Sequence, residues 1–116
     1  MSNEKKYNGW TNYETWNVAL WLGNDAGSEE YWNERAQEAY DQASAEKTWT
    51  REENAAIWLR HILKGEIEDS AQDMLEAANQ SASMFADLLN GALSEVNWHE
   101  IAEHYIENVD KEEVEA

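Results

Sequence analysis

Apolar positions along the chain recur at three- and four-residue intervals rather than alternating, which is the period of helices packed on one side. From Ser28 onward, Trp32, Ala36, Ala39, Tyr40 and Ala43 mark one such stripe. Ile57, Trp58, Leu59, Ile62, Leu63 and Ile67 mark a second and longer one, extending toward Ala78 across Gly65. Met84, Phe85, Leu88, Leu89, Ala92 and Leu93 form a third, and Ile101, Tyr105, Ile106 and Val109 a fourth. The segment Tyr13–Leu22 differs from these. Tyr13, Trp16 and Leu20 fall on one side of a helical wheel and Val18, Trp21 and Leu22 cover much of the other, leaving a narrow polar strip near Glu14 and Asn17. A helix apolar nearly all round belongs in a core, so this first helix is expected to be a buried scaffold element.

Local signals place the ends. The T-x-x-E pattern of a capping box occurs at Thr11–Glu14 and at Thr50–Glu53, and Asn97 stands three residues before Glu100; each arrangement offers side-chain acceptors to amides that a helix start leaves unpaired. Gly23 suits a helix C-terminus, and the second helix is expected to end near Ala45. "NQSAS" (79–83) reads as a loop. The chain has no proline and only five glycines, so little interrupts helix. The expectation is an all-α, compact single-domain bundle of about five helices. It places an N-terminal arm at 1–10, a helical domain at 11–109 and an acidic tail at 110–116.

At 116 residues one core is expected. Hydrophobic residues make up 42%, with seven Trp and five Tyr, enough to fold despite a net charge of -17. The absence of cysteine rules out disulfides and thiolate metal sites and suits a reducing cytoplasm. No apolar run approaches the ~18 residues that span a bilayer, and no membrane association is expected. Direct contact with nucleic acid would be repulsive at long range.

The negative charge is uneven. Residues 65–116 hold 14 acids and one base, whereas residues 1–64 hold 11 acids and seven bases. Glu30, Glu34, Glu38 and Asp41 follow helical steps, as do Glu66, Asp69, Asp73 and Glu76, and Glu100, Glu103, Glu107 and Asp110. Each set predicts a stripe whose carboxylates rise ~5.4 Å per turn, close to the ~6–7 Å between neighbouring phosphates implied by a nucleic-acid strand. Like charges at i, i+4 cost ~0.2–0.5 kcal/mol each in an isolated helix. Three one-sign stripes accumulate that cost without a structural return, so a basic partner is the expected beneficiary. Halophilic adaptation is the other account of such acidity.

Catalytic signals are weak. His99 and His104 in "HEIAEH" have one residue too many for a zinc-protease pair, and five residues turn the second ring about 140° from the first. They are expected to pair with Glu100 and Glu103, and His61 to be a boundary or core residue. No phosphate-binding glycine loop, nucleophile elbow or calcium loop occurs. Neither enzymatic activity nor a cofactor or metal is expected.

The run G-W-T-N-Y-E-T-W-N-V-A-L-W-L-G-N-D (Gly9 to Asp25), joined by "ADLLNGALSEVNWHEIAEHYIE" (Ala86 to Glu107), resembles a family of small proteins from bacteriophages, plasmids and their bacterial hosts. The family carries no established activity. The resemblance implies a mobile-element setting, in which proteins of this size often block host defences. Combined with the charge pattern, it leads to the expectation of a DNA-mimicking inhibitor, of anti-restriction or anti-CRISPR type, that occupies the basic nucleic-acid groove of a host defence enzyme. The twelve acids of the three stripes are the expected contact residues. The alternative is an interaction module gripping its partner through aromatic and polar contacts, with Trp10, Trp49 and Trp98 as anchors and the acidity serving solubility.

Overall fold

A computed structural model describes residues 7–111; most of the proposed N-terminal arm and acidic tail lies outside them. Five helices follow one another: α1 (Tyr13–Asn24), α2 (Ala26–Gln42), α3 (Arg51–Ala77), α4 (Met84–Ser94) and α5 (Trp98–Glu107). No strand occurs among the described residues, only an isolated bridge between Tyr7 and Trp10. Asn8 and Gly9 close that bridge with φ of 51° and 93°, the left-handed pair that a two-residue hairpin turn requires.

The capping box at Thr50 forms as expected, with Thr50 Oγ1 accepting from Glu53 N–H at 3.0 Å and Glu53 Oε1 from Thr50 N–H at 2.8 Å. Asn97 caps α5 by accepting from Glu100 N–H. The first helix starts one residue later than expected. Asn12, not Thr11, is its cap, accepting from Thr15 N–H at 2.9 Å. Gly23 lies within α1, and Asp25 caps α2, which therefore begins before Ser28 and stops at Gln42. The loop after α3 opens with Asn79 in the left-handed region (φ 60°). Asn79 N–H reaches Glu76 O and Gln80 N–H reaches Leu75 O, a Schellman ending with asparagine in place of glycine.

The core is built from α2, α3 and α5. Trp32, Ala36, Ala39 and Tyr40 meet Ala55, Ala56, Leu59 and Leu63, with Trp98, Ile101, Ala102, Tyr105 and Ile106 completing it. Five alanines at these positions let the helix axes approach closely, while Trp32, Leu59, Leu63 and Ile101 fill the space between them. Both neighbours run antiparallel to α3. Arg51 at the start of α3 donates to Tyr40 O at the end of α2, and Tyr31 near the start of α2 bonds Glu66 far along α3. Arg60 meets His99 at the start of α5. With 27 residues α3 outreaches both partners, and its last turns are covered by α4, where Gln72 bonds Asn90 at 3.1 Å.

Two burial expectations do not hold. The first helix is not a core element: Thr15 is its single buried residue, Val18, Ala19 and Leu22 pack partly against the core, and Tyr13, Leu20 and Trp21 are exposed. Its docking face is narrow because it is fixed by hydrogen bonds as much as by area. Thr15 Oγ1 donates to Asn12 Oδ1 at 2.6 Å and accepts from Asn97 N–H at 2.8 Å. In α4, Ala86 and Leu93 are buried while Met84, Phe85 and Leu88 face out. Trp58 and His61 on α3 are exposed as well, not inward or at the boundary of the core.

Candidate acidic binding surface

The three acidic stripes have different surroundings. On α2, Glu30, Glu34, Glu38 and Asp41 are all exposed. Glu38 is ion-paired with Arg35, and Asp41 accepts from Gln37 Nε2 at 3.0 Å. Glu30 and Glu34 border a shallow depression with Glu29, Asn33 and Gln37. On α3, Glu66, Asp69, Asp73 and Glu76 are likewise exposed, and Glu66 accepts from the Tyr31 hydroxyl at 2.9 and 3.0 Å. That bond holds the Tyr31 phenol above its ordinary pKa, with desolvation and the Glu66 charge adding to it.

The stripe on α5 is divided. Glu103 and Glu107 are exposed and Asp110 follows the helix, whereas Glu100 is only 9% exposed. Its Oε1 accepts from Thr11 N–H at 3.1 Å, which makes it a tie between the chain start and α5 and removes it from the outward row. His99 pairs with Glu103 at 3.3 Å through Nε2, while the His104 ring lies against Trp10 with centroids 5.3 Å apart. The two imidazoles therefore serve different neighbours. Among the described residues no three His, Asp or Glu side chains are grouped to hold a metal ion.

Tertiary packing also gathers acids that no single-helix pattern connects. A cleft of about 210 Å³ is lined by Glu52 and Glu53 from the first turn of α3 and by Glu103 and Glu107 of α5, with Lys111 at its edge. Glu103 and Glu107 also line a second cleft, of about 310 Å³, with Glu100, His104, Trp10 and the Asn8–Gly9 turn. The two glutamates thus form a ridge between two recesses. A groove of about 290 Å³ continues from Trp10 and His104 to Glu29 and Asn33 of α2. Beyond it Gln37 ties α2 to Asp110, accepting from its N–H at 2.9 Å and donating to its carbonyl at 3.1 Å. Glu29 of α2, Glu103 and Glu107 of α5 and Glu52 and Glu53 at the start of α3 accordingly border a run of recesses. Burial raises the pKa of Tyr105 in this region, and the Glu29 charge adds to the shift.

The stripe from Glu66 to Glu76 belongs elsewhere. It occupies the half of α3 beyond the reach of α5, connected to the α2 acids through Tyr31. Glu29, Glu52 and Glu53 were not singled out by the sequence pattern, although Glu52 and Glu53 sit where acids favour a helix start and their position in the first turn was legible. Their nearness to Glu103 depends on how α5 lies along α3.

An aromatic surface accompanies the acidic one. Tyr7 meets Tyr13 edge to face and Tyr13 lies tilted against Trp16, with centroids 5.7 and 5.6 Å apart, and Trp21 is 66% exposed farther along α1. Of the three tryptophans expected as anchors, Trp49 is exposed, Trp10 is half-buried and Trp98 is a core residue.

The sequence profile of DUF7249, a family of unknown function, matches residues 3–116. The chain belongs to this family. No curated protein and no solved structure matches it. Both segments singled out in the sequence lie within the matched span, and the family carries no activity with it. Among the described residues no helix is long and apolar enough to cross a membrane.

Proposed function

We propose that this member of the family is an acidic inhibitor from a phage or other mobile element, acting in the bacterial cytoplasm as a binding protein rather than an enzyme. It occupies the basic nucleic-acid groove of a host defence enzyme, of restriction or CRISPR type. The observation that supports this reading is the convergence of Glu52, Glu53, Glu103 and Glu107 around one cleft, which Lys111 also lines, with Glu30, Glu34, Glu38 and Asp41 exposed on the neighbouring α2. A concentration of one charge sign attracts a Lys- and Arg-lined channel over distance and speeds encounter. Docking then displaces the counterions that nucleic acid would have displaced. The contacts are Glu52, Glu53, Glu103, Glu107 and Asp110 with Glu30, Glu34, Glu38 and Asp41, and Glu66, Asp69, Asp73 and Glu76 form a second site on α3; Glu100 acts through the fold.

The test is capture of DNA-binding enzymes from host lysate on the immobilised protein at low and high salt. Salt-labile capture that disappears when Glu30, Glu34, Glu103 and Glu107 are all changed to Lys is the expected result. Capture indifferent to that fourfold reversal overturns the reading. A second reading rests on the exposed Tyr7, Tyr13 and Trp21, with Trp16 half-buried against Tyr13, through which the protein grips a partner by aromatic contact. In that case Tyr13→Ala with Trp21→Ala abolishes capture, and charge reversal leaves it intact.

A further inference from the structure

The outward face of α4 has an unusual composition for a soluble, highly acidic protein. On a helical wheel Gly91, Met84, Leu88, Ala92, Phe85 and Leu89 occupy one continuous arc, with Asp87, Asn90 and Ser94 together on a flank and Ala86 and Leu93 beneath. Ala86 and Leu93 are the buried residues of the helix. The apolar arc therefore points away from the core except at its Leu89 edge, which packs against it, with Met84 and Leu88 each 64% and Phe85 59% exposed. An amphipathic helix normally turns its apolar face inward. Here the inward side is held by Ala86 and Leu93 with Leu89 beside them, and the face carrying Met84, Phe85 and Leu88 is left uncovered.

We propose that this face is a two-fold contact between two copies of the chain. Its residues are graded in size: Met84 and Phe85 are large at the N-terminal end, Leu88 is central, and Gly91 and Ala92 are small at the C-terminal end. Two such helices placed antiparallel about an axis at Leu88 bring Met84 against Gly91 and Phe85 against Ala92 of the other copy, so each bulky side chain meets a small one. That is the self-complementarity an isologous contact needs. Nothing in the monomer requires glycine at position 91, since a Cβ there would meet no atom within 4 Å; the small residue leaves a recess open to the outside.

Area and charge agree with this occupant. The exposed arc amounts to on the order of 500 Å² per copy, in the range of patches that mark contact sites. Two copies bury ~1,000 Å² in total, about the threshold for a specific interface. The arc contains no charged residue, so it offers nothing to a basic partner; the two-fold leaves both Asp87 side chains on one flank, outside the arc. The remaining obstacle is repulsion between two chains of net charge -17, which salt screens. Self-association through α4 therefore tightens as salt rises. This is opposite in sign to binding of a basic partner by the acidic surface, and the inference stands independently of that reading.

Sedimentation equilibrium of the full chain at low and molar NaCl tests it. The expected result is a monomer–dimer equilibrium shifted toward dimer by salt. Leu88→Glu, at a mostly exposed position, and Gly91→Gln, which fills the recess, are each expected to give monomer at all salt concentrations with the helical circular dichroism of the parent. A parent chain that stays monomeric in molar salt overturns the proposal. So does an assembly that persists in both variants.

Discussion

The backbone N–H of Thr11 donates to Oε1 of Glu100 at 3.1 Å, joining the residue before the cap of α1 to the first turn of α5 across 89 positions of sequence. The carboxylate is buried, so the chain start is held by a charge-assisted hydrogen bond shielded from solvent. Glu100→Ala is expected to destabilise the fold by about 1.5–3 kcal/mol, the range for hydrogen bonds to charged groups. Glu100→Gln, which keeps an acceptor, should lose less. Urea denaturation followed by circular dichroism measures both.

Thr15 closes the same junction from the other side. Its hydroxyl is fully buried, donating to Asn12 and accepting from Asn97 N–H. Thr15→Val preserves the shape and removes both bonds, leaving the Asn97 N–H without its acceptor. A loss of about 1–3 kcal/mol is expected, read as a lower urea midpoint with an unchanged slope. A variant as stable as the parent would show that the junction is not held by this hydroxyl.

The tryptophans separate into two energetic classes. Trp98 is 6% exposed, and Trp98→Ala should cost about 3–5 kcal/mol as a core truncation. Trp21→Ala, on the exposed side of α1, should stay within ~0.5 kcal/mol of the parent. Comparable losses at the two sites in chemical denaturation would contradict the placement of α1 at the surface.

Two phenols connect stability to alkaline pH. Tyr31 and Tyr105 both have pKa values raised above 10.0, Tyr31 chiefly by its bond to Glu66 and Tyr105 chiefly by burial. A raised pKa means that the folded state holds the proton more tightly than the unfolded chain. The associated stability is complete below about pH 10 and is lost as pH climbs through the folded-state values. Glu66→Gln should bring the Tyr31 titration back toward 10.0 and leave Tyr105 displaced. Tyrosinate absorbance during a pH titration resolves the two, and an unaltered Tyr31 transition would deny the Glu66 bond its role.

Much of the architecture was legible because it is local. The cap at Thr50 and the stripes of α2 and α5 require only neighbours three and four residues apart. The start of α1 was displaced by one residue because Thr11 and Asn12 both suit a cap, and Thr11 N–H is drawn to Glu100. The candidate surface was less accessible. The rows on α2 and α3 are read from spacing alone, but spacing cannot tell that Glu100 turns inward while Glu103 turns outward. It also carries no information that Glu52 and Glu53 meet α5.

By itself, then, the sequence determined an all-helical chain with negative charge concentrated in rows, since helix periodicity, capping and composition are properties of short stretches. Tertiary structure decided which apolar faces are buried. Alanine-lined contacts among α2, α3 and α5 close the core, so the bulkier side chains of α1 and α4 are left at the surface. Burial depends on which helices win the limited interior space, and that competition is settled only when all five are assembled.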